Sequence, residues 1–306
     1  MLNSYFNDRQ KLLKIIEVAD INRSELARRL EVDYKTIYRW IDKDISPQKK
    51  RSMDIDHLFK SLVDLRGIVY ELKAKSGNPL KLLRAETAIR EQFFLDITYN
   101  SNAIEGSRMT RKETKDAFDG KNVRGKQLFE VLDAVNHRSA MEFVLDSCNT
   151  DFLITGEYVL SLHEKVMRGF SDKLPGKYRP GHVNPANAQQ ILPPASEVPL
   201  RMGKFLSGVN SYGEDIIENI ALDHYEFEAI HPFLDGNGKV GRLIMLTQLL
   251  SKGLAPAIIK VEDRNKYYAA LDKGDIGDLK NIVQLLCDAI IDGYGRLFAA
   301  EKGTSS

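Results

Sequence analysis

The sequence is poor in features that would define several classes outright. Two cysteines, Cys148 and Cys287, are too few and too far apart for a disulfide framework, and they form no C-x-x-C or metal-ligand spacing. Two reduced thiols in a cytosolic protein are the expectation. No stretch approaches 18 uninterrupted apolar residues, so no transmembrane helix is expected. The opening residues, MLNSYFNDRQKLLK, are charged too early and too often for a signal peptide. A cytoplasmic location is therefore expected. The formal net charge is only +1, too little for a chain that coats nucleic acid along its whole surface. No internal repeat or low-complexity tract is present.

What is there is mainly helical periodicity. Leu12, Leu13, Ile15 and Ile16 open an amphipathic run. Two short helical patterns follow, SELARRL (24–30) and YKTIYRWI (34–41), with Asp33 placed as an N-cap between them. One further run over 55–73 puts Leu58, Leu62, Leu65, Val69 and Leu72 on one face. The polar break Lys75-Ser76-Gly77-Asn78-Pro79 suggests a boundary between a domain over 1–78 and a larger one over 79–306. Helices are then expected near 80–98, 111–118, 126–147, 156–169, 196–210, 213–229, 240–252, 263–273 and 277–300. The fold class expected is all-α, with at most one small β-hairpin, in the Gly/Pro-rich stretch from His182 to Pro194.

The most informative segment is HPFLDGNGKVGR, His231 to Arg242, set between two helical patterns. Its residue types suit phosphate chemistry. Gly236, Asn237 and Gly238 permit positive φ, so successive N–H groups can face one concavity. A helix N-terminus follows directly, and its dipole and free N–H groups favour an anion. Lys239 and Arg242 add positive charge. Asp235 is a hard oxygen ligand suited to Mg²⁺ beside phosphate. His231 can accept a proton near neutral pH. A conventional phosphate-binding loop does not fit, because Phe233 stands at its first Gly position and Val240 follows the Lys. Nor does a protein kinase, for want of its H-R-D and D-F-G elements.

The twelve-residue segment resembles the signature of the Fic family, H-x-F-x-[D/E]-G-N-G-R-x-x-R, at every fixed position but one, where Lys239 replaces Arg. The resemblance extends over about residues 85–300. It implies transfer of AMP from Mg-ATP to a Ser, Thr or Tyr hydroxyl of a protein. His231 would be the catalytic base, Phe233 the anchor of the loop, and Asp235 the Mg²⁺ ligand. Gly236, Asn237, Gly238 and Arg242 would hold phosphates, with Lys239, Val240 and Gly241 in the same cradle. Tyr267 and Tyr268 resemble an aromatic pair over the base or ribose. The segment ending ILPPASEVP resembles a substrate-aligning flap, which places Gln190 and Ile191 at the nucleotide. Lys239 offers a point charge where Arg offers a fork, so a weaker or altered grip on the outer phosphates is expected.

Residues 98–106, TYNSNAIEG, resemble the same family's inhibitory motif, [S/T]-x-x-x-E-[G/N], through Ser101, Glu105 and Gly106. Glu105 paired with Arg242 would also occupy part of the nucleotide site. Residues 24–41 look like a helix-turn-helix. Residues 1–51 hold twelve Lys plus Arg against eight Asp plus Glu, and Arg28, Arg29, Lys35, Arg39 and Lys43 supply its charge. Contact with DNA through residues 24–43 and docking or homodimerisation remain alternatives. A DNA-binding regulator whose Fic-like domain only senses nucleotide is the alternative function. His224, Glu228 and His231 lack the H-E-x-x-H spacing of a zinc site, and His224 reads as a packing or hydrogen-bonding residue. His57, His137, His163 and His182 stand alone. Lys177 and Arg179 read as a solvated loop or a substrate contact.

Overall fold

A computed structural model describes residues 6–150, 152–183 and 191–304, with side-chain environments through residue 300. Every regular element among the described residues is helical. The amino-terminal portion contains α1 (Asp8–Ala19), α2 (Arg23–Arg29), α3 (Tyr34–Ile41) and α4 (Lys49–Leu62). Asn7 opens α1 with a capping box to Gln10, and the Asn22 side chain caps α2 by accepting from Glu25 N–H. Glu31 turns the chain between α2 and α3 at φ 53. Asp33 stands at the N-cap position of α3 with extended dihedrals, but its side chain makes no capping bond. Leu12, Ile15, Leu26, Ile37, Ile41, Ile55 and Phe59 form the common floor.

The single helix expected over 55–73 is two. α4 ends at Leu62, Val63 is extended (φ −98, ψ 126), and α5 runs Arg66–Lys75. The break is held by a residue far away in sequence. Gln284 Nε2 donates to the carbonyls of Lys60 and Val63, and its Oε1 accepts from Leu65 N–H. That side chain satisfies backbone groups that a continuous helix would have paired internally.

Beyond the Gly77–Pro79 break, α6 (Pro79–Ala85) and α7 (Thr87–Ile104) divide the run expected over 80–98. The chain is extended at Glu86 (φ −104, ψ 92). α7 continues six residues past the expected end, until Gly106 at φ 99 stops it. Then come α8 (Arg111–Phe118), α9 (Leu128–Ser147), α10 (Gly156–Val166), α11 (Val198–Gly208), α12 (Ile216–Ile230), α13 (Asn237–Ser251), α14 (Arg264–Gly274) and α15 (Lys280–Thr304). All of α13 is buried. It is surrounded by α6, α7, α9, α10 and α12. A helix with no polar face needs such a wrapping, and its N-terminus is the end that carries the site.

α5 packs on α15. Arg66 also reaches Asp215 (2.6 Å), the cap of α12. One apolar cluster runs from Leu12 to Leu297, so the two portions of the chain share a core. The hairpin expected between His182 and Pro194 falls largely on residues 184–190, outside the described residues. Its described flanks are irregular.

Candidate active site

His231 occupies the C-cap of α12 in the left-handed region (φ 50, ψ 61), with its N–H bonded to Phe227 O. That conformation is uncommon for a side-chain-bearing residue, and the surroundings hold it. Arg179 Nε donates to His231 O (2.8 Å), while Arg179 N–H donates to Pro232 O (2.9 Å). The same guanidinium reaches Gly181 O and Pro193 O. Arg179 is buried. It ties the loop after His231 to Gly181 and Pro193, on either side of residues 184–190, and is neither a solvated loop residue nor a free substrate contact. Burial depresses the His231 pKa below its ordinary value, so the imidazole is neutral and able to take a proton. Its Nδ1 is buried without a hydrogen-bond partner.

The loop after His231 is fixed by an aromatic stack and an asparagine. Phe233 is fully buried and lies face to face on His163, with centroids 3.7 Å apart and planes 5° from parallel. His163 Nδ1 accepts from Gly176 N–H (3.0 Å), so Nε2 carries the proton and donates to Asp235 O (3.1 Å). Burial pulls its pKa down to about 4, which keeps the ring neutral. Asn237 closes the loop. Its Oδ1 accepts from Phe233 N–H (2.8 Å) and its Nδ2 donates to Phe233 O (2.9 Å). Gly236 sits at φ 75, and a Cβ there would lie 2.8 Å from Met167 Sδ.

α13 begins at Asn237, and its first internal bond here is Val240 N–H to Gly236 O. The N–H groups of Asn237, Gly238 and Lys239 precede it and have no carbonyl within the helix to meet, the geometry that favours an anion. Arg242 lies one turn further, buried. Its Nε donates to Ser101 Oγ (3.0 Å), and its Nη2 to Ser101 O (3.0 Å) and Glu105 Oε1 (2.9 Å). Arg242 Nη1 is buried with no partner. A Cβ on Gly238 would lie 2.2 Å from Glu105 Oε1 and 3.0 Å from Arg242 Nη1. Only glycine lets this ion pair lie so close over the helix start. Gly241 is likewise close-packed: a Cβ there would come 2.5 Å from Glu228 Oε1 and 3.1 Å from Phe227 Cδ1. Burial pushes the Glu228 carboxyl up to about 8.

Asp235 is half-exposed. Its Oδ1 accepts from Gly236 N–H (2.7 Å), and Oδ2 lies 3.8 Å from Lys173 Nζ. No group of three metal-ligating side chains occurs among the described residues. One exposed carboxylate beside an anion-favouring helix start fits Mg²⁺ that takes its remaining ligands from phosphate and water. Lys239 is turned to α9, with Nζ 2.8 Å from Asp133 Oδ1. Tyr267 is buried, its hydroxyl 2.8 Å from His224 Nε2 and its ring 5.9 Å from the Arg242 guanidinium. His224 is thus a hydrogen-bonding residue. Tyr268 is only partly buried and bonds Ile104 O at 3.5 Å. Ile191 is 95% exposed. Gln190 lies outside the described residues.

Ser101, Glu105, His231, the loop 235–238 and Arg242 are therefore gathered at the N-terminal end of one buried helix. Sequence reading did not single out Asp133, and it left Arg179 and His163 as unremarkable. Asp133 carries no local signal, being one acid on an ordinary helix.

A helical domain whose central helix opens on this loop is the arrangement of the Fic/DOC family. Residues 153–249 match that family's model, so the chain carries a Fic/DOC domain over that span. Over 225 residues the chain is 32% identical to "Protein adenylyltransferase Fic" of Nematostella vectensis, a match covering 71% of this chain and 52% of that protein. The protein of the same name from Drosophila melanogaster is 32% identical over 205 residues, covering 66% and 41%. The chain thus spans about half the length of the curated relatives it matches. Among solved structures, a fragment of Fic-1 from C. elegans superposes with TM-score 0.67 at 25% identity, covering 85% of this chain and 80% of that one. A Fic-domain-containing signaling protein from Bacteroides thetaiotaomicron gives 0.70 at 22%, covering 78% and 97%, and supports the fold.

Proposed function

We propose that the chain is a protein adenylyltransferase that moves AMP from Mg-ATP to a Ser, Thr or Tyr hydroxyl of a protein. The observation that carries this reading is a neutral, half-buried imidazole at the mouth of a helix start whose first N–H groups have no carbonyl in the helix and whose Arg242 retains an unfilled donor. In the reaction the target hydroxyl oxygen attacks the α-phosphorus and its proton passes to His231. The bond from the α-phosphorus to the bridging oxygen breaks, and pyrophosphate leaves. Asp235 would hold the Mg²⁺, which neutralises phosphate charge when bound. The first-turn N–H groups and Arg242 would hold the phosphates, and Tyr268 would flank the nucleoside. The similarity to proteins named adenylyltransferases supports AMP as the transferred group.

Glu105 restrains this reaction in our reading. Its pair with Arg242 lies where an outer phosphate would take the guanidinium, so nucleotide binds unproductively until the pair opens. The test of the catalytic assignment is incubation with α-labelled and γ-labelled ATP. Protein should take up α-label and no γ-label. On the Glu105→Gly background, where transfer is released, His231→Ala should lose transfer by about 10²–10⁴-fold while still binding nucleotide. Near-normal transfer by that variant would refute the assignment.

A second reading concerns α2 and α3, which we take as a helix-turn-helix that contacts DNA. The solvent face of α3 presents Tyr34, Lys35, Tyr38 and Arg39, with Lys43 just beyond. Arg28 and Arg29 are paired with Glu25 and add less. Such a face suits phosphate contacts.

A further inference from the structure

Lys239 stands in the first turn of α13, where the helix dipole disfavours a cation. Its side chain is 7% exposed, and Asp133, its partner across the seam with α9, is 18% exposed. The two cations of the cradle therefore differ in kind. Both face a carboxylate, Arg242 on Glu105 at 2.9 Å and Lys239 on Asp133 at 2.8 Å, but Arg242 also keeps a buried donor, Nη1, with no hydrogen-bond partner, whereas Lys239 has only its one ammonium. At that separation in a poorly solvated place the Lys239–Asp133 pair presents little net charge to a third group several ångströms away. A lysine at this position need not be a phosphate ligand merely because the loop around it is one.

We propose that Asp133 is a specificity-determining residue, holding Lys239 against α9 so that outer phosphates are gripped by Arg242 and the helix start alone. The inference rests on the nucleotide-binding reading above and deepens it. Asp133 touches no nucleotide in this account. It is a positioning residue that withholds a second outer-phosphate contact, and the site therefore separates nucleoside triphosphate from diphosphate less sharply than its sequence suggests. Lys239 contributes to phosphate binding through its main-chain N–H, which any residue supplies.

The measurement is calorimetric binding of Mg-ATP and Mg-ADP to the full chain carrying Glu105→Gly, which frees Arg242. Adding Asp133→Asn, a substitution of the same size, should release Lys239 toward phosphate. The preference for ATP over ADP should then rise about tenfold or more, the size of one charged hydrogen bond. Asp133→Glu, which keeps the carboxylate, should leave the ratio as it was. Adding Lys239→Met to Asp133→Asn should abolish the rise, which a merely structural role for Asp133 would not require. An unchanged ratio in folded Asp133→Asn, or a rise that survives Lys239→Met, overturns the proposal while nucleotide binding stands. Failure of Glu105→Gly to bind either nucleotide overturns the nucleotide reading and this inference with it.

Discussion

At the scale of single residues, burial sets the chemistry. His231 is desolvated, so its pKa lies below the ordinary histidine value and the ring stays base-competent into mild acid. The acid limb of kcat/KM for AMP transfer should accordingly fall below pH 6.5, and a limb at or above that value would contradict the assignment. Asp223 shows the opposite sign. Burial raises it to about 7, against a hydrogen bond from Gln248 Nε2 at 2.6 Å. A raised folded pKa means that stability is fully present below the unfolded value of about 3.9 and is lost as pH rises through the folded one. Asp223→Asn keeps an acceptor for Gln248 and removes the ionisation. It should stabilise the protein at pH 8 by about 1–3 kcal/mol and do little at pH 4. Melting curves at the two pH values check this, and equal shifts at both would contradict it.

At the scale of elements, periodicity located the helices but not their breaks. The apolar stripe of 55–73 is continuous in sequence. The interruption at Val63–Leu65 is braced by Gln284, more than two hundred residues away, and its one local cue is Asp64, whose Oδ1 accepts from Arg66 N–H at 3.0 Å. α7 likewise outran its expected end, because Asn100, Ser101 and Asn102, though polar, are buried by tertiary contacts. α5 illustrates the consequence for the domain boundary. Leu65, Ile68, Val69 and Leu72 are all buried, and α5 packs on α15. A chain beginning at Leu80 strips this layer, which at about 1.5–3 kcal/mol per buried side chain is a severe loss. A chain beginning at Asp64 should melt well above one beginning at Leu80. Equal melting temperatures would show that α5 belongs wholly with the amino-terminal unit. For α3, the combined charge reversals Lys35→Glu and Arg39→Glu should abolish DNA retention that weakens steeply with salt in the wild type. Salt-insensitive association, or none, would favour a docking role.

At the scale of the whole molecule, the described residues build a helical shell around α13 and place the loop 231–238 at its N-terminal end. The loop was legible in the sequence because its residues are constrained by chemistry and by backbone geometry together. Gly236 needs positive φ, a local requirement, whereas the tight space at Gly238 and Gly241 is set by Glu105 and Glu228 on other helices. What surrounds the loop was less legible. Arg179, His163 and Asp133 act across the fold, through contacts with carbonyls, a ring and an ammonium that no spacing encodes. Between those cases stands Glu105, whose motif was readable while its meeting with Arg242 required the fold.

That pair is the centre of the account, since it joins the proposed nucleotide site to its restraint. The direct measurement compares the wild-type full chain with Glu105→Gly in the presence of Mg²⁺ and α-labelled ATP, scoring label on the chain itself and on added hydroxyl-bearing proteins. A charge-assisted contact of this kind contributes about 1.5–3 kcal/mol, roughly tenfold to a hundredfold in an equilibrium. The wild type should be nearly silent, and Glu105→Gly should take up at least tenfold more α-label. Equal labelling by the two proteins at equal ATP affinity would contradict it.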